Sequence, residues 1–194
     1  MTLDPIRLGE SDQASVDLRL LARLHDGDLR AFELLYQRFQ PRLSRFVASL
    51  VRRAVTVEEV VNDTMMVLWD KPDSFRGDSK LSTWLFAIAY RKSIRARLRD
   101  AEPIEETIDA ELEDEDALPD RDFARRQSAV LLRQAIDALS PDHRAVVHLS
   151  YFQEMGYRDI ADIMGCPTDT VKTRMFHARR HLKQKLAGVL ADWI

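Results

Sequence analysis

A run of acidic residues in the middle of the chain divides it into two parts and constrains the fold more than any other feature. Twelve acidic side chains lie within residues 100–122, and Arg121 is the only basic residue among them. Pro103 and Pro119 also fall in this stretch, which has little apolar material. Self-repulsion should keep such a segment extended. We therefore expect two folded blocks joined by a flexible acidic linker.

Both flanking blocks are basic, although the formal net charge of the 194-residue chain is −3. The linker carries most of the negative charge, which leaves about +8 on the rest of the chain by the same formal count. Basic faces often serve only solubility. Two of them on separate helical units nevertheless favour a polyanionic partner such as nucleic acid.

Apolar residues recur at helical spacing through both blocks, and glycine is scarce, which favours an all-α fold with two small helical domains. In the first block the pattern begins near Leu18, and residues 1–17 are expected to form a flexible leader. Pro41 is expected to bend or break the second helix. Thr56 should cap the third helix, and Ser82 should open a long fourth one.

The second block has the pattern of a helix-turn-helix. A helix is predicted over 123–139, and Ser140-Pro141 supplies an N-cap and a first-turn proline for the next. A short apolar helix then reaches the turn at 165–167, after which a basic helix is predicted to end near Leu186. Val171, Met175, Ala178 and Leu182 should form its buried side.

The second helix of a helix-turn-helix enters the major groove of DNA with its first residues at the base edges. Outward residues near its start can read bases, whereas later cations contact phosphates. The alternative is an amphipathic hairpin with a solvated basic face. The predicted DNA-binding residues of this helix are Lys172, Thr173, Arg174, Phe176, His177, Arg179, Arg180 and Lys183.

Other chemistry finds little support in the sequence. Cys166 is the only cysteine, which excludes an internal disulfide and a thiolate zinc site. His177 and His181 could bind a metal in principle, but the sequence offers no nearby third ligand. We expect no catalytic site, metal or cofactor. The absence of a secretory signal and of a long apolar run predicts a cytoplasmic protein without membrane insertion.

Three stretches resemble bacterial sigma factors of the extracytoplasmic function (ECF) group. They are GDLRAFELLYQRFQPRL (27–43), TVEEVVNDTMMVLWDKPDSFRGDSKLSTWLFAIA (56–89) and LSPDHRAVVHLSYFQEMGYRDIADIMGCPTDTVKTRMFHARRHL (139–182). The first two resemble the family's second region and the third resembles its fourth region. The resemblance implies domains over 18–99 and 123–194, on either side of the linker.

By this resemblance, the third helix docks on the β′ clamp helices of RNA polymerase core, and the β flap is a further contact. Acidic and amide groups beside a large aromatic suit such an interface. A solvated acidic face is the alternative that the residues alone leave open. The implied polymerase-binding residues are Glu58, Glu59, Asn62, Asp63, Met66 and Trp69.

The loop and helix that follow resemble the part of the family that melts and reads the −10 promoter element. A polar loop with a flexible glycine can hold an unpaired base, and a stripe of arginines can track phosphates. Trp84 is expected to pack in the core. The implied −10 residues are Phe75, Arg76, Asp78, Ser79, Lys80, Arg91, Lys92, Arg95 and Arg99.

The chain departs from the family at several of these positions. Arg91 and Arg95 stand where many relatives carry Asn and Asp, so the family's −10 sequence preference is not transferred. Asp169 stands where Gly is common, and Gly156 stands where a Ser cap is common.

The expected function is promoter recognition with polymerase, with an anti-sigma protein as a further partner. The rival is a polymerase-independent repressor or activator that uses the helix-turn-helix alone.

Overall fold

A computed structural model describes residues 10–99 and 121–190. These residues form eight α-helices and one 3₁₀ turn, with no strand in the described ranges. The predicted acidic linker falls mainly outside them. The helices are α1 (Glu10–His25), α2 (Leu29–Ala48), α3 (Ala54–Asp70), α4 (Leu81–Arg99), α5 (Arg121–Asp137), α6 (Pro141–Tyr151), α7 (Tyr157–Met164) and α8 (Thr168–Leu190), and the 3₁₀ turn is Pro72–Ser74.

Helix α2 forms the centre of the first block and is continuous through Pro41, so the predicted break there is wrong. Its N-terminus is capped by Asp28, whose side chain accepts hydrogen bonds from the backbone N–H groups of Arg30 and Ala31. Fully buried side chains lie on both sides of the proline, including Phe39 and Phe46. Burial of this long apolar face outweighs the roughly 3 kcal/mol that an internal proline costs.

Helix α1 begins at Glu10, so the expectation of a flexible leader through residue 17 fails for its last part. Val16 packs against the core. Asp17 is buried, and its Oδ1 lies 3.1 Å from Nε of Arg38. Burial raises the pKa of this carboxyl, and Arg38 and Arg42 oppose that rise. Packing and the ion pair thus extend the helix beyond its apolar repeat.

Helix α3 begins at Ala54, and Thr56 is not its cap. Thr56 is only 3% exposed and lies on a buried stripe that continues through Val60, Thr64 and Leu68. The stripe repeats every four residues, so the threonine faces the core rather than the open end of the helix. Two boundaries differ slightly from the prediction. Helix α4 begins at Leu81 rather than at Ser82, and α8 extends to Leu190 rather than ending near Leu186.

The second block follows the predicted layout closely. Ser140 caps α6 by accepting a hydrogen bond from the backbone of His143, and Pro141 occupies the first turn. Gly165 ends α7 in the left-handed region with φ of 63°, and Cys166 N–H donates to Ala161 O over 3.1 Å. Only glycine adopts this conformation without steric cost. The resulting turn sets α7 against α8.

The two blocks pack against each other. The sequence predicted two folded blocks joined by a flexible linker and indicated no contact between them. Helix α4 contacts α2 and α3 of the first block and α7 of the second. Its six consecutive residues 85–90 are all buried. A helix that is buried around its whole circumference needs partners on every side, and the first block alone does not supply them.

Polar contacts accompany this packing. Tyr90 Oη donates to Asp142 Oδ1 over 3.1 Å, and burial raises the pKa of Tyr90 to about 12, so the hydroxyl stays protonated. Further hydrogen bonds join described residues of the two blocks: Arg42 Nε to Gln153 Oε1 (3.0 Å), Arg144 Nη1 to Ser49 O (3.0 Å) and Thr83 Oγ1 to Asp159 Oδ1 (3.3 Å).

His148 is buried at this contact, between Phe46 and Phe152. Its ring lies 5.6 Å from the Phe46 ring and stacks on Phe152 at 4.9 Å, measured between centroids. Burial, assisted by the nearby charge of Arg45, lowers the pKa of His148 to about 4. The imidazole is therefore neutral in the folded chain at pH 7.

Replacing Gly165 with alanine should lower the free energy of unfolding by about 1 kcal/mol, because alanine is disfavoured at positive φ. Gly156→Ser is the opposing control. Gly156 is the N-cap of α7 without a side-chain cap hydrogen bond, and an added Cβ would meet only Asp159 Oδ2 at 3.8 Å. Serine there should stabilise by about 0.5 kcal/mol. Urea unfolding measures the change in the free energy of unfolding for both variants. Equal changes would contradict the assignment of Gly165 to the left-handed end of α7.

Lowering the pH from 7.5 to 5.0 should remove about 2 kcal/mol of stability through His148 alone. The folded pKa of about 4 lies below the unfolded value of 6.5. The unfolded chain therefore binds the extra proton between these values, and stability falls as pH decreases through that window. His148→Phe should lose this part of the pH dependence in paired urea titrations. An identical acid sensitivity in the variant would exclude His148 as its source.

Candidate nucleic-acid and protein interfaces

Helix α8 presents the predicted buried and exposed faces. Val171, Met175 and Ala178 are buried against the other helices of the second block. On the opposite side Phe176 is 64% exposed, and His177 is exposed beside it. An exposed aromatic side chain on a basic helix suits contact with a thymine methyl or a base edge.

The first cations of α8 are engaged with neighbouring side chains. Arg174 is half-buried, ion-paired with Asp142 Oδ2 at 2.5 Å, and lies 3.7 Å from Cys166 Sγ. Lys172 Nζ lies 2.9 Å from Asp169 Oδ1. The hydroxyl of Thr173 donates to the Asp169 carbonyl over 2.9 Å. Arg174 thus points back into the protein, and sequence periodicity had not indicated this.

Cations further along α8 are more accessible. Arg179 Nε donates to Tyr151 Oη over 3.1 Å, and its guanidinium lies over the Tyr151 ring. Arg180 and Lys183 are exposed and form no ion pair with any residue that the structure describes. These two side chains have the accessibility that phosphate contacts require.

The structure also brings His143 of α6 beside His177, with ring centroids 6.2 Å apart. Burial is the main cause of a lowered pKa at His143, and the neighbouring His177 and Arg174 add to it. Over residues 10–99 and 121–190, no group of three His, Cys, Asp or Glu side chains has metal-binding geometry.

Helix α3 carries the predicted acidic face. Glu58, Glu59, Asn62, Asp63 and Met66 are exposed, and Tyr36 Oη donates to Asn62 Oδ1 over 3.2 Å. The structure thus brings five of the six predicted polymerase-binding side chains together on one open surface.

Trp69, the sixth residue of that set, is half-buried in a different environment. It packs against the core, and its ring meets the Phe32 ring edge-on with centroids 5.0 Å apart. The indole therefore has a structural contact in addition to any role at the surface.

Helix α4 places its predicted DNA-binding cations in two environments. Arg91 and Arg95 are exposed and make no ion pair within the described part of the chain. Lys92 Nζ lies 2.7 Å from Asp63 Oδ2, and Arg99 forms a two-hydrogen-bond pair with Glu59. The stripe of three arginines predicted from spacing thus divides into two open cations and one that is ion-paired with α3.

The loop before α4 is anchored by an aromatic contact. The rings of Phe75 and Trp84 meet edge-to-face with centroids 5.7 Å apart, and both side chains pack against the core. The expected core role of Trp84 is supported. Gly77 adopts φ of 79°, and Arg76, Asp78 and Lys80 are exposed around it, with Ser79 half-buried.

Within the described ranges, every helix is too short or too polar to cross a membrane.

Comparison with known proteins places both blocks in one class. Residues 35–102 match the profile of sigma-70 region 2, and residues 129–182 match that of sigma-70 region 4. An all-helical chain with these two regions in this order, the second carrying a helix-turn-helix, has the organisation of a sigma factor.

Relatives match over nearly the whole chain. The RNA polymerase sigma-H factor of Pseudomonas aeruginosa is 30% identical, over 91% of this chain and 96% of its own. The ECF RNA polymerase sigma-E factor of Escherichia coli K12 is 33% identical, over 90% and 96% respectively. The chain belongs to the ECF family of RNA polymerase sigma factors.

Solved structures agree with this assignment. The sigma factor RpoE of Bartonella quintana, crystallised with the anti-sigma factor NepR, is 29% identical with a TM-score of 0.63, covering 80% of this chain and 96% of that one. CnrH, solved with the cytosolic domain of CnrY, has a TM-score of 0.66 at 24% identity, covering 89% of this chain and 98% of that one. The second likeness concerns the fold.

The chain is therefore an RNA polymerase-binding factor that directs promoter-specific initiation of transcription. The rival expectation, a regulator that acts without polymerase, does not account for the region 2 match over residues 35–102.

Removing the two open cations of α8 should weaken binding of duplex DNA uniformly across sequences. For Arg180→Gln/Lys183→Gln we expect the slope of log Kobs against log salt to become shallower by about 1.8, because each phosphate contact contributes about 0.9. Fluorescence anisotropy with a labelled duplex measures the slope. Arg52→Gln/Arg53→Gln, which removes two exposed charges from the first block, should leave it unchanged.

Proposed function

We propose that the binding functions are divided among three surfaces. The exposed face of α3 docks on the β′ clamp helices of polymerase core, the 75–80 loop with α4 captures the −10 element, and α8 reads the −35 element. The observation that carries this division is the exposed acidic, partly apolar face of Glu58, Glu59, Asp63 and Met66, whose charge is opposite to that of the open cations of the other two surfaces.

At the −10 surface, Arg91 and Arg95 bind the phosphates of the melted strand. Gly77 gives the loop beside them the backbone freedom to hold an unstacked base. Phe75 contributes mainly by packing on Trp84, which fixes the base of the loop. Arg76, Asp78, Ser79 and Lys80 supply the polar groups that meet the exposed base.

At the −35 surface, Phe176 and His177 are the open side chains near the start of α8 and make the base-edge contacts with Lys172 and Thr173. Arg179, Arg180 and Lys183 bind phosphates. Arg174 joins them only if its pair with Asp142 exchanges for DNA.

The packing of the two blocks has a consequence for promoter binding. Tyr90 of α4 and Arg174 of α8 share Asp142 as a hydrogen-bonding partner, so the two DNA-binding helices lie close together. The −10 and −35 elements are separated by about 25 base pairs, or roughly 85 Å of B-form DNA. The blocks must therefore separate before one chain can engage both elements.

The protein carries out no chemistry itself and acts in the cytoplasm, where polymerase and promoter DNA are found. Its specificity comes from differential binding to promoters. The Bartonella quintana sigma factor RpoE forms a complex with the anti-sigma factor NepR. By analogy, an anti-sigma protein sequesters this chain through one or both blocks.

Retention of RNA polymerase core tests the proposed docking face. The wild-type chain should retain core in a pull-down, and Glu59→Arg/Asp63→Arg should lose at least nine-tenths of it, because two reversed charges meet a basic partner. Asp26→Arg/Asp162→Arg is the matched control, since both residues are exposed acids on other surfaces, and it should retain core normally. Circular dichroism checks that the variants fold.

Failure of the wild type to retain core would refute docking on polymerase. Equal retention by the wild type and the Glu59→Arg/Asp63→Arg variant would place the docking face elsewhere on the chain.

A further inference from the structure

Three of the chain's five histidines lie together at the proposed −35 surface. His177 and His181 occupy exposed positions one turn apart on α8. His143 comes from α6, and the centroid of its ring lies 6.2 Å from that of His177. His181 is close enough for its charge to affect the pKa of His143. The fold thus gathers imidazoles from two separate helices beside the side chains proposed to contact DNA.

His143 and His177 form a pair that a large ligand can reach. His177 is exposed and His143 is half-buried. The Phe176 ring, which is 64% exposed, meets the His177 ring edge-on with centroids 5.5 Å apart. The Ser140 hydroxyl lies 3.0 Å from Nδ1 of His143 and so engages one of its two ring nitrogens. The pair therefore adjoins a proposed base contact, and Nε2 of His143 can serve a further partner.

Most of the charge around this pair is positive. Burial is the main cause of the lowered pKa of His143, and its cationic neighbours add to it. Asp142 opposes this effect, but its carboxylate already pairs with Arg174 and accepts a hydrogen bond from Tyr90. A negatively charged partner would offset the positive charge gathered there. The charged or titratable groups on the surrounding helices are Asp142 on α6, Tyr90 on α4, and Arg174, Arg180 and His181 on α8.

We propose that His143 extends the duplex-binding surface onto α6 as a phosphate contact beside His177, and that both imidazoles take up protons when DNA binds. This inference rests on the proposed function, because it adds a second helix to the −35 surface of α8. Phosphates flank a helix that lies in the major groove, and base edges there offer acceptors. A protonated imidazole donates from both ring nitrogens, so DNA favours the charged form.

Proton uptake makes the affinity for duplex DNA rise as the pH falls, because the bound chain then holds more protons than the free chain. The interval from pH 7.5 to 6.0 spans the ordinary pKa of histidine. His148 titrates below this interval, since burial lowers its pKa to about 4. If DNA raises the pKa of an imidazole by about one, Kobs increases about fourfold over this interval, and two such imidazoles give about fifteenfold.

Anisotropy of a rhodamine-labelled duplex, measured with the full chain at constant low salt, tests this proposal. The wild type should bind about fifteenfold more tightly at pH 6.0 than at pH 7.5, His143→Gln about fourfold, and His143→Gln/His177→Gln less than about twofold. Glutamine suits position 143, because a serine followed three residues later by glutamine forms a capping box at a helix start. Circular dichroism at both pH values checks that the variants fold.

Two single variants control for proton uptake elsewhere on the chain. His25 lies in the first block, where its Nδ1 is 2.8 Å from Asp73 Oδ1, so His25→Gln should show the wild-type gain. His181→Gln removes an exposed imidazole one turn further along α8 and should keep most of the gain. Both variants change one histidine, as His143→Gln does.

Equal affinities of the wild type at the two pH values would overturn the proposal. A gain in His143→Gln as large as that of the wild type would overturn it too, as would loss of the gain in His181→Gln. Duplex binding that is independent of pH refutes the proton-linked pair alone, because the salt dependence through Arg180 and Lys183 tests the −35 surface separately. Absence of duplex binding at either pH would refute that surface and the pair together.

Discussion

The burial of α4 is the constraint on which most of this structure depends. Six consecutive residues of this helix are buried, and the helix contacts α2 and α3 of the first block and α7 of the second. Its apolar first half therefore holds the two blocks together, while its second half carries Arg91 and Arg95 open at the surface. One helix thus combines a structural role at its start with the proposed DNA-binding role at its end, and on that proposal promoter binding disturbs the former to complete the latter.

Charge is distributed so that several cations of the proposed DNA-binding surfaces have acidic partners. Lys92 and Arg99 pair with α3, and Arg174 pairs with Asp142 at the contact between the blocks. These pairs are partly exposed, so they add little to stability. On the proposed function their consequence is for binding, since each cation exchanges its carboxylate for a DNA phosphate. A sigma factor that engages promoters together with polymerase gains from a DNA-binding surface that is partly neutralised in the free chain.

Several features were predictable because they depend on neighbours in sequence. The Ser140-Pro141 start of α6, the glycine turn before the last helix and the buried stripe of Val171, Met175 and Ala178 follow from local capping and helical periodicity. Boundaries that depend on packing were not predictable. Pro41 stays inside a helix because buried side chains flank it, and α1 starts early because Asp17 finds Arg38 on another helix.

The sequence by itself therefore determined the all-helical class, the two regions and the buried stripe of α8, since periodicity and motif order encode these directly. Only the tertiary structure decided which functional side chains are open. Arg99 and Glu59 are 40 positions apart, and Tyr90 and Asp142 are 52 apart. No local pattern records such pairings, because they arise when separate helices pack and bring distant charges within a few ångströms of each other.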